Sequence, residues 1–120
     1  MIRWAFEFRD SRWLCEAVFA LLRKYQAALC IHDLVEDHPR LLTADWIYLR
    51  FHGGQGGRSY SPQTLSAQAE QICQYLDQGR DVFVYFNNDA HGYTVQNATE
   101  LKRLVSTPSS LLMGNRHDIL

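Results

Sequence analysis

Side chains capable of acid–base or anion-binding chemistry stand at the ends of four apolar runs in this 120-residue sequence. Glutamate and histidine can transfer protons, while a guanidinium group suits a carboxylate or a phosphate. The predicted catalytic residues are Glu7, His32, His52 and Asn87, and the predicted substrate-binding residues are Arg9, Arg50, Tyr85, Asn88 and Asp89. In this hypothesis the arginines hold a small anionic or phosphorylated molecule, Glu7 or His32 moves a proton, and Asn87 orients or polarises the molecule.

The polar side chains at the strand ends also have two structural explanations, which are ordinary solvation of loops and an ion pair within the fold. Residues that leave a strand are often polar because loops are solvated, which accounts for Asp33, Asn88 and Asp89 well. Asparagine and aspartate also suit turns and helix starts. Solvation accounts for Glu7 and Arg50 poorly, because both lie within apolar runs. An inward ion pair between these two residues is therefore a structural alternative to a binding pocket.

The four runs are predicted to be strands that alternate with helices. They cover residues 2–8, 27–32, 46–52 and 81–86. Asp10 and Ser11 can cap a helix after the first run, and Ser61 followed by Pro62 marks a helix start after the third. A last helix follows the fourth run, whereas Pro39 limits any helix in the link 33–45 to a short one. Alternation of this kind predicts right-handed crossovers and a parallel sheet.

The two faces of each predicted strand differ in polarity. In the third, Ile47, Leu49 and Phe51 share one face, while Arg50 and His52 lie on the other. A parallel strand covered by helices on both faces would be almost continuously apolar. A strand with one polar face instead suits a (β/α) barrel, whose lumen opens at the carboxyl ends of its strands. The predicted fold class is α/β, with four βα units forming half of a TIM-like barrel over residues 1–106 and a tail over 107–120.

Several further residue types are predicted to be structural. No HExxH pair or similar spacing occurs, so no metal site is predicted, and the cofactor is unknown. The glycine-rich segment 53–57 matches no phosphate-binding motif and is predicted to be a flexible loop. The predicted small buried side chains are Cys15, Cys30 and Cys73, and the predicted core aromatics are Trp4, Trp13, Trp46 and Phe51. The histidines predicted to be exposed are His38, His91 and His117.

Composition excludes some classes of partner. The formal net charge is −1, so the chain lacks the basic footprint of a nucleic-acid-binding protein. No apolar run reaches the roughly 20 residues that span a bilayer. The first residues include Arg3 and Glu7 and have no signal-peptide core, so a cytoplasmic location is expected.

Motifs along the chain resemble one known family. They are Ala5-Phe6-Glu7-Phe8-Arg9 with Trp13, then Tyr48-Leu49-Arg50-Phe51-His52-Gly53, then Tyr60-Ser61, then residues 81–89 ending in Asn87-Asn88-Asp89, and Asn97-Ala98. Together they resemble the C-terminal half of the DUF72 (YecE-like) family, up to about Val105. The resemblance implies a TIM-like barrel of about 250 residues, whose N-terminal half is absent here. It implies a candidate site but no reaction, since the family has no settled activity.

Two functional hypotheses follow. In the first, the chain is an enzyme or a binder of a small anionic metabolite at the carboxyl ends of its strands. In the second, it is a non-catalytic half-barrel that acts through self-association or a partner chain. Exposed strand edges recruit further strands, so a homodimer or a separate N-terminal half-barrel is the expected partner.

Overall fold

The computed structural model describes residues 2–88 and 90–106 of the chain. Four parallel strands form one sheet in the order β1-β2-β3-β4. The strands are β1 (Ala5–Phe6), β2 (Ala28–His32), β3 (Ile47–Phe51) and β4 (Val82–Phe86), and the helices are α1 (Glu16–Lys24), α2 (Pro62–Asp77) and α3 (Tyr93–Val105). This α/β architecture is the predicted half-barrel. The predicted tail, with His117, and Asp89 lie outside the described residues.

The structure differs from the expected elements in two places. Strand β1 has two residues rather than seven, and within the described residues it pairs with β2 on one side only. Its pairing with β2 covers only Ala5 and Phe6, opposite Ala28 and Leu29. The described link between β2 and β3 contains no helix. Asp37 has a φ of 55° there, outside the range of a right-handed helix, and Pro39 follows it.

The predicted helix starts are only partly confirmed. Ser61 caps α2 by accepting a hydrogen bond from the Thr64 N–H, with Pro62 in the first helical position. Asp10 accepts a hydrogen bond from the Arg12 N–H, but this caps a short 3-10 turn over Ser11–Trp13. Helix α1 begins later, and Cys15 stands at its start, where it is exposed instead of buried as predicted.

The main core lies between the sheet and helices α2 and α3. On the face of the sheet that is turned toward these helices, side chains of β3 and β4 pack against apolar residues of α2 and α3. The most deeply buried residues of this core are Ile47, Leu49, Ile72, Leu101 and Val105. This arrangement confirms the apolar face predicted from the alternation. Trp46 and Phe51 are buried as expected, whereas Trp4 and Trp13 are exposed because they lie on or beside the edge strand.

The opposite face of the sheet, which we call the concave face, is the one that would line the lumen of a complete barrel. Its floor is aromatic, with the rings of Trp46 and Phe83 in edge contact. The Arg3 guanidinium lies over both rings and forms an ion pair with Asp81 at 2.9 Å. Arg3 precedes β1 and Asp81 precedes β4, so this ion pair joins the two edges of the sheet at the amino ends of the strands. Polar residues lie at the carboxyl ends, which we call the mouth.

No helix among residues 2–88 and 90–106 is long and apolar enough to cross a bilayer.

Candidate functional site

Glu7 is the central charged residue of the mouth. One carboxylate oxygen, Oε1, accepts a hydrogen bond from His52 Nε2 at 3.1 Å and lies 3.4 Å from Arg50 Nη1. The other, Oε2, accepts a hydrogen bond from Arg9 Nε at 2.9 Å. Glu7 follows β1, whereas Arg50 and His52 come from the end of β3. The fold therefore brings together four of the residues predicted from the sequence, and it contains the predicted Glu7–Arg50 ion pair.

The environment keeps Glu7 ionised. Burial raises the pKa of its carboxyl, but the hydrogen bonds from His52 and Arg9 and the charge of Arg50 outweigh this effect. The net result is a pKa lowered to about 2. A carboxylate with such a low pKa is a weak base near neutral pH, so it suits an anchoring role better than proton transfer.

His52 is fixed from two sides. Its ring donates to the ionised Glu7, which places the proton of the neutral ring on Nε2 and leaves Nδ1 as the nitrogen that can accept one. Its backbone N–H donates to Asp33 Oδ1 at 2.8 Å, and the side chain is almost fully buried. The alternation along β3 places His52 on this face, and its hydrogen bonds make it the better proton-transfer candidate.

Asp33 and Tyr60 hold the turn that follows His52. Gly53 N–H donates to Asp33 Oδ2 and to the Tyr60 hydroxyl, and Tyr60 donates to the same Asp33 oxygen. Burial and this hydrogen bond raise the pKa of Tyr60, so its hydroxyl keeps its proton. Gly53 has a φ of +77°, and a Cβ there would clash with the backbone of Arg58. Only glycine fits this turn, so segment 53–57 begins in a fixed conformation.

One hydrogen-bond donor of Arg50 has no partner in the part of the chain that the structure describes. Its side chain is half-buried, and its Nε is buried without a hydrogen-bond partner among the described residues. A buried N–H without an acceptor is costly in free energy, so an acceptor at this point would be stabilising. Arg9, in contrast, is largely exposed and donates to Glu7.

His32 is buried and bonded to the backbone through both ring nitrogens. Nε2 hydrogen-bonds to the Phe8 carbonyl at 2.8 Å, and Nδ1 accepts from the Leu34 N–H at 3.1 Å. These hydrogen bonds connect the segment after β1 to β2. They occupy both ring nitrogens of His32, so neither is free for the predicted catalytic role. The ring of His38 packs against His32 at 4.5 Å, so His38 is half-buried and the prediction that it is exposed is wrong. His91 is exposed, as expected.

The two asparagines after β4 have different environments. Asn88 is 1% exposed and donates to the Arg58 carbonyl and to Asn97 Oδ1, while its own Oδ1 accepts from Thr94. Its side chain joins the segment after β3 to α3. Because this side chain is buried, the structure opposes its predicted role in substrate binding. Asn87 is exposed beside the mouth. The predicted substrate-binding residue Asp89 lies outside the described residues.

A cavity of about 490 Å³ extends below the mouth along the concave face. Tyr85 lines it as predicted, together with Arg50 and Glu7. Cys30 and Tyr48 also line it but were not among the predicted site residues. Each lies two residues before a predicted site residue on its strand, His32 or Arg50, and therefore on the same face of the sheet. Burial and the neighbouring Glu7 raise the pKa of Cys30 to about 12, so its sulfur stays a protonated thiol.

The geometry does not add a metal centre to this site. Within residues 2–88 and 90–106, no three His, Cys, Asp or Glu side chains are placed to share a metal ion.

Comparison with known proteins supports the resemblance. The model of the family described as "Protein of unknown function DUF72" matches residues 1–117. No curated protein matches the chain.

Two solved structures share the fold. One is a DUF72 family protein from Thermotoga maritima MSB8, with a TM-score of 0.80 and 23% identity. The other is a DUF72 family protein from Enterococcus faecalis V583, with a TM-score of 0.72 and 20% identity. Each alignment covers 88% of this chain but only 47% or 48% of the relative. The chain thus spans about half the length of these relatives.

Proposed function

This chain belongs to the DUF72 family, whose function is unknown, and we propose that it binds a small anion at the mouth of its half-barrel. The observation that carries this proposal is the buried Nε–H of Arg50, which has no acceptor among the described residues. Arg9 and Arg50 both contact the carboxylate of Glu7, while the nearby carboxylate of Asp33 accepts from the backbone N–H groups of His52 and Gly53. A guanidinium group suits a carboxylate or a phosphate, so Arg50 can bind one through its remaining donor.

Within this proposal the residues have distinct roles. Arg50 and Arg9 bind the anion, and Glu7 fixes the orientation and tautomer of His52. His52, whose Nε2–H donates to Glu7, exchanges a proton with the bound molecule through Nδ1. Asn87, exposed beside the mouth, orients the molecule.

Calorimetric titration of the 120-residue chain with inorganic phosphate, and separately with acetate, tests the proposal. We expect saturable binding at one site per chain, weakened by sodium chloride because the mouth is open to solvent and its charges are screened. Absence of saturable binding for phosphate and for every carboxylate tested at low salt would contradict the proposal.

The second candidate function is association with another half-barrel, and we infer a second copy of this chain as the partner. Strands β1 and β4 are the edges of the described sheet, and four parallel strands from each copy would supply the eight of a barrel. Large apolar side chains are exposed on and beside β1 and α1, namely Trp4, Phe6, Trp13, Leu21 and Tyr25. Exposed apolar patches of this kind are typical of interaction sites.

Light scattering over a range of protein concentrations distinguishes this candidate. Self-association predicts a mass that rises to that of a dimer with concentration. A constant monomer mass would contradict self-association and favour a separate partner chain.

A further inference from the structure

The wall of the cavity below Arg50 is aromatic. Tyr48 on β3 and Tyr85 on β4 stack with ring centroids 5.3 Å apart and an interplanar angle of 24°. Tyr85 is 46% exposed, so part of its ring has no covering side chain among the described residues. Phe83 and Trp46 continue the wall toward the floor.

The aromatic wall and the guanidinium group are adjacent. Arg50 and Tyr85 are direct partners in the register of β3 and β4, and Tyr48 lies two residues before Arg50 on the same face. Arg50 and Tyr85 therefore face the same cavity from neighbouring strands. A ligand whose anionic group reaches Arg50 would place the rest of its structure beside the exposed ring of Tyr85.

The lining between Arg50 and the floor is mostly aromatic, and its polar groups are the tyrosine hydroxyls and the protonated thiol of Cys30, which is a weak donor. At the floor, Arg3 supplies a guanidinium group that is paired with Asp81. A planar aromatic ring would stack on the exposed part of Tyr85 in this lining.

We propose that the anion bound at the mouth is a planar aromatic carboxylate, with its carboxylate on Arg50 and its ring on Tyr85. This inference rests on the proposed anion-binding function. The flat guanidinium fork suits a planar carboxylate, which can accept two parallel hydrogen bonds. One of these would use the Nε–H of Arg50, the donor that now lacks an acceptor among the described residues.

Three probes of equal charge test the inference by calorimetry on the 120-residue chain: benzoate, cyclohexanecarboxylate and acetate. Cyclohexanecarboxylate matches benzoate in size but lacks the flat ring. We expect benzoate to bind about fivefold more tightly than cyclohexanecarboxylate, because only the aromatic ring can stack on Tyr85. Acetate should bind most weakly of the three.

Variants at Tyr85 assign the preference to its ring. Tyr85→Leu should remove the advantage of benzoate over cyclohexanecarboxylate, whereas Tyr85→Phe, which keeps the ring, should retain it. The matched control is Tyr93→Leu, because Tyr93 lies at the start of α3, outside the residues that line the cavity. This variant should retain the preference.

The outcomes separate the inference from the proposed function. If acetate binds but benzoate gains nothing over cyclohexanecarboxylate, the aromatic inference is overturned and the anion site stands. The same follows if Tyr85→Leu keeps the full preference. If neither phosphate nor any of the three carboxylates binds, the proposed function and this inference are both overturned.

Discussion

Replacing Arg50 with methionine is expected to weaken phosphate binding at least about tenfold, since hydrogen bonds to charged groups contribute about 1.5–3 kcal/mol. Methionine keeps an unbranched chain against β3 but removes the charge and all donors. The fold should persist, because Glu7 keeps its hydrogen bonds from Arg9 and His52. Its contact with Arg50, at 3.4 Å, is the longest of the three.

The matched control is Arg103→Met. Arg103 lies on α3, its side chain is 62% exposed, and it pairs with Glu100 away from the mouth. Calorimetric titration with phosphate should give the same affinity for this variant as for the unchanged chain. Equal affinity in Arg50→Met and the unchanged chain would exclude Arg50 from the site. An Arg50→Met chain that fails to fold would favour the purely structural Glu7–Arg50 ion pair.

Replacing Asn88 with leucine is expected to lower the free energy of unfolding by about 3 kcal/mol, which is large for a single substitution. Leucine makes no hydrogen bonds and is larger than asparagine, so at a position that is 1% exposed it also overpacks its surroundings, at a cost of about 1–3 kcal/mol. The Arg58 carbonyl would lose its donor, at a cost of about 1–3 kcal/mol. The Asn97 amide oxygen would lose one donor and keep those of Tyr60 and Ser59.

The neighbouring Asn87→Leu serves as the control. Asn87 is exposed, and substitutions at exposed positions usually change stability by less than about 0.5 kcal/mol. Urea denaturation of both variants should show a lower midpoint for Asn88→Leu only, with an unchanged slope. Equal midpoints would mean that Asn88 does not join the segment after β3 to α3.

The inward side of the sheet was predictable because strand geometry is periodic. Side chains alternate between the two faces, so residues at even positions of 48–52 had to share a face once the run was recognised as a strand. Parallel strands then place their carboxyl ends together. The grouping of Glu7, Arg50 and His52 follows from these two rules, as does the apolar face that packs on α2 and α3.

The environments of individual polar residues were not predictable from the same rules. His32 bonds to the carbonyl of Phe8, 24 residues earlier, and Asn88 bonds to Arg58, 30 residues earlier. These contacts depend on how irregular loops fold back, for which the sequence has no periodic signal. The aromatic wall was not predicted for another reason. The alternation along β3 places Tyr48 on the inward face of the sheet, but tyrosines are as typical of cores as of binding sites.

The most direct test of the anion site is the ¹⁵N–¹H resonance of Arg50 Nε, assigned by its loss in Arg50→Met. Addition of inorganic phosphate should shift this resonance in a saturable manner, because the Nε–H gains an acceptor that it lacks among the described residues. The corresponding resonance of Arg103, which already donates to Glu100, should stay in place. An Arg50 resonance that does not move at saturating phosphate, or that moves no more than that of Arg103, would contradict an anion site at the mouth.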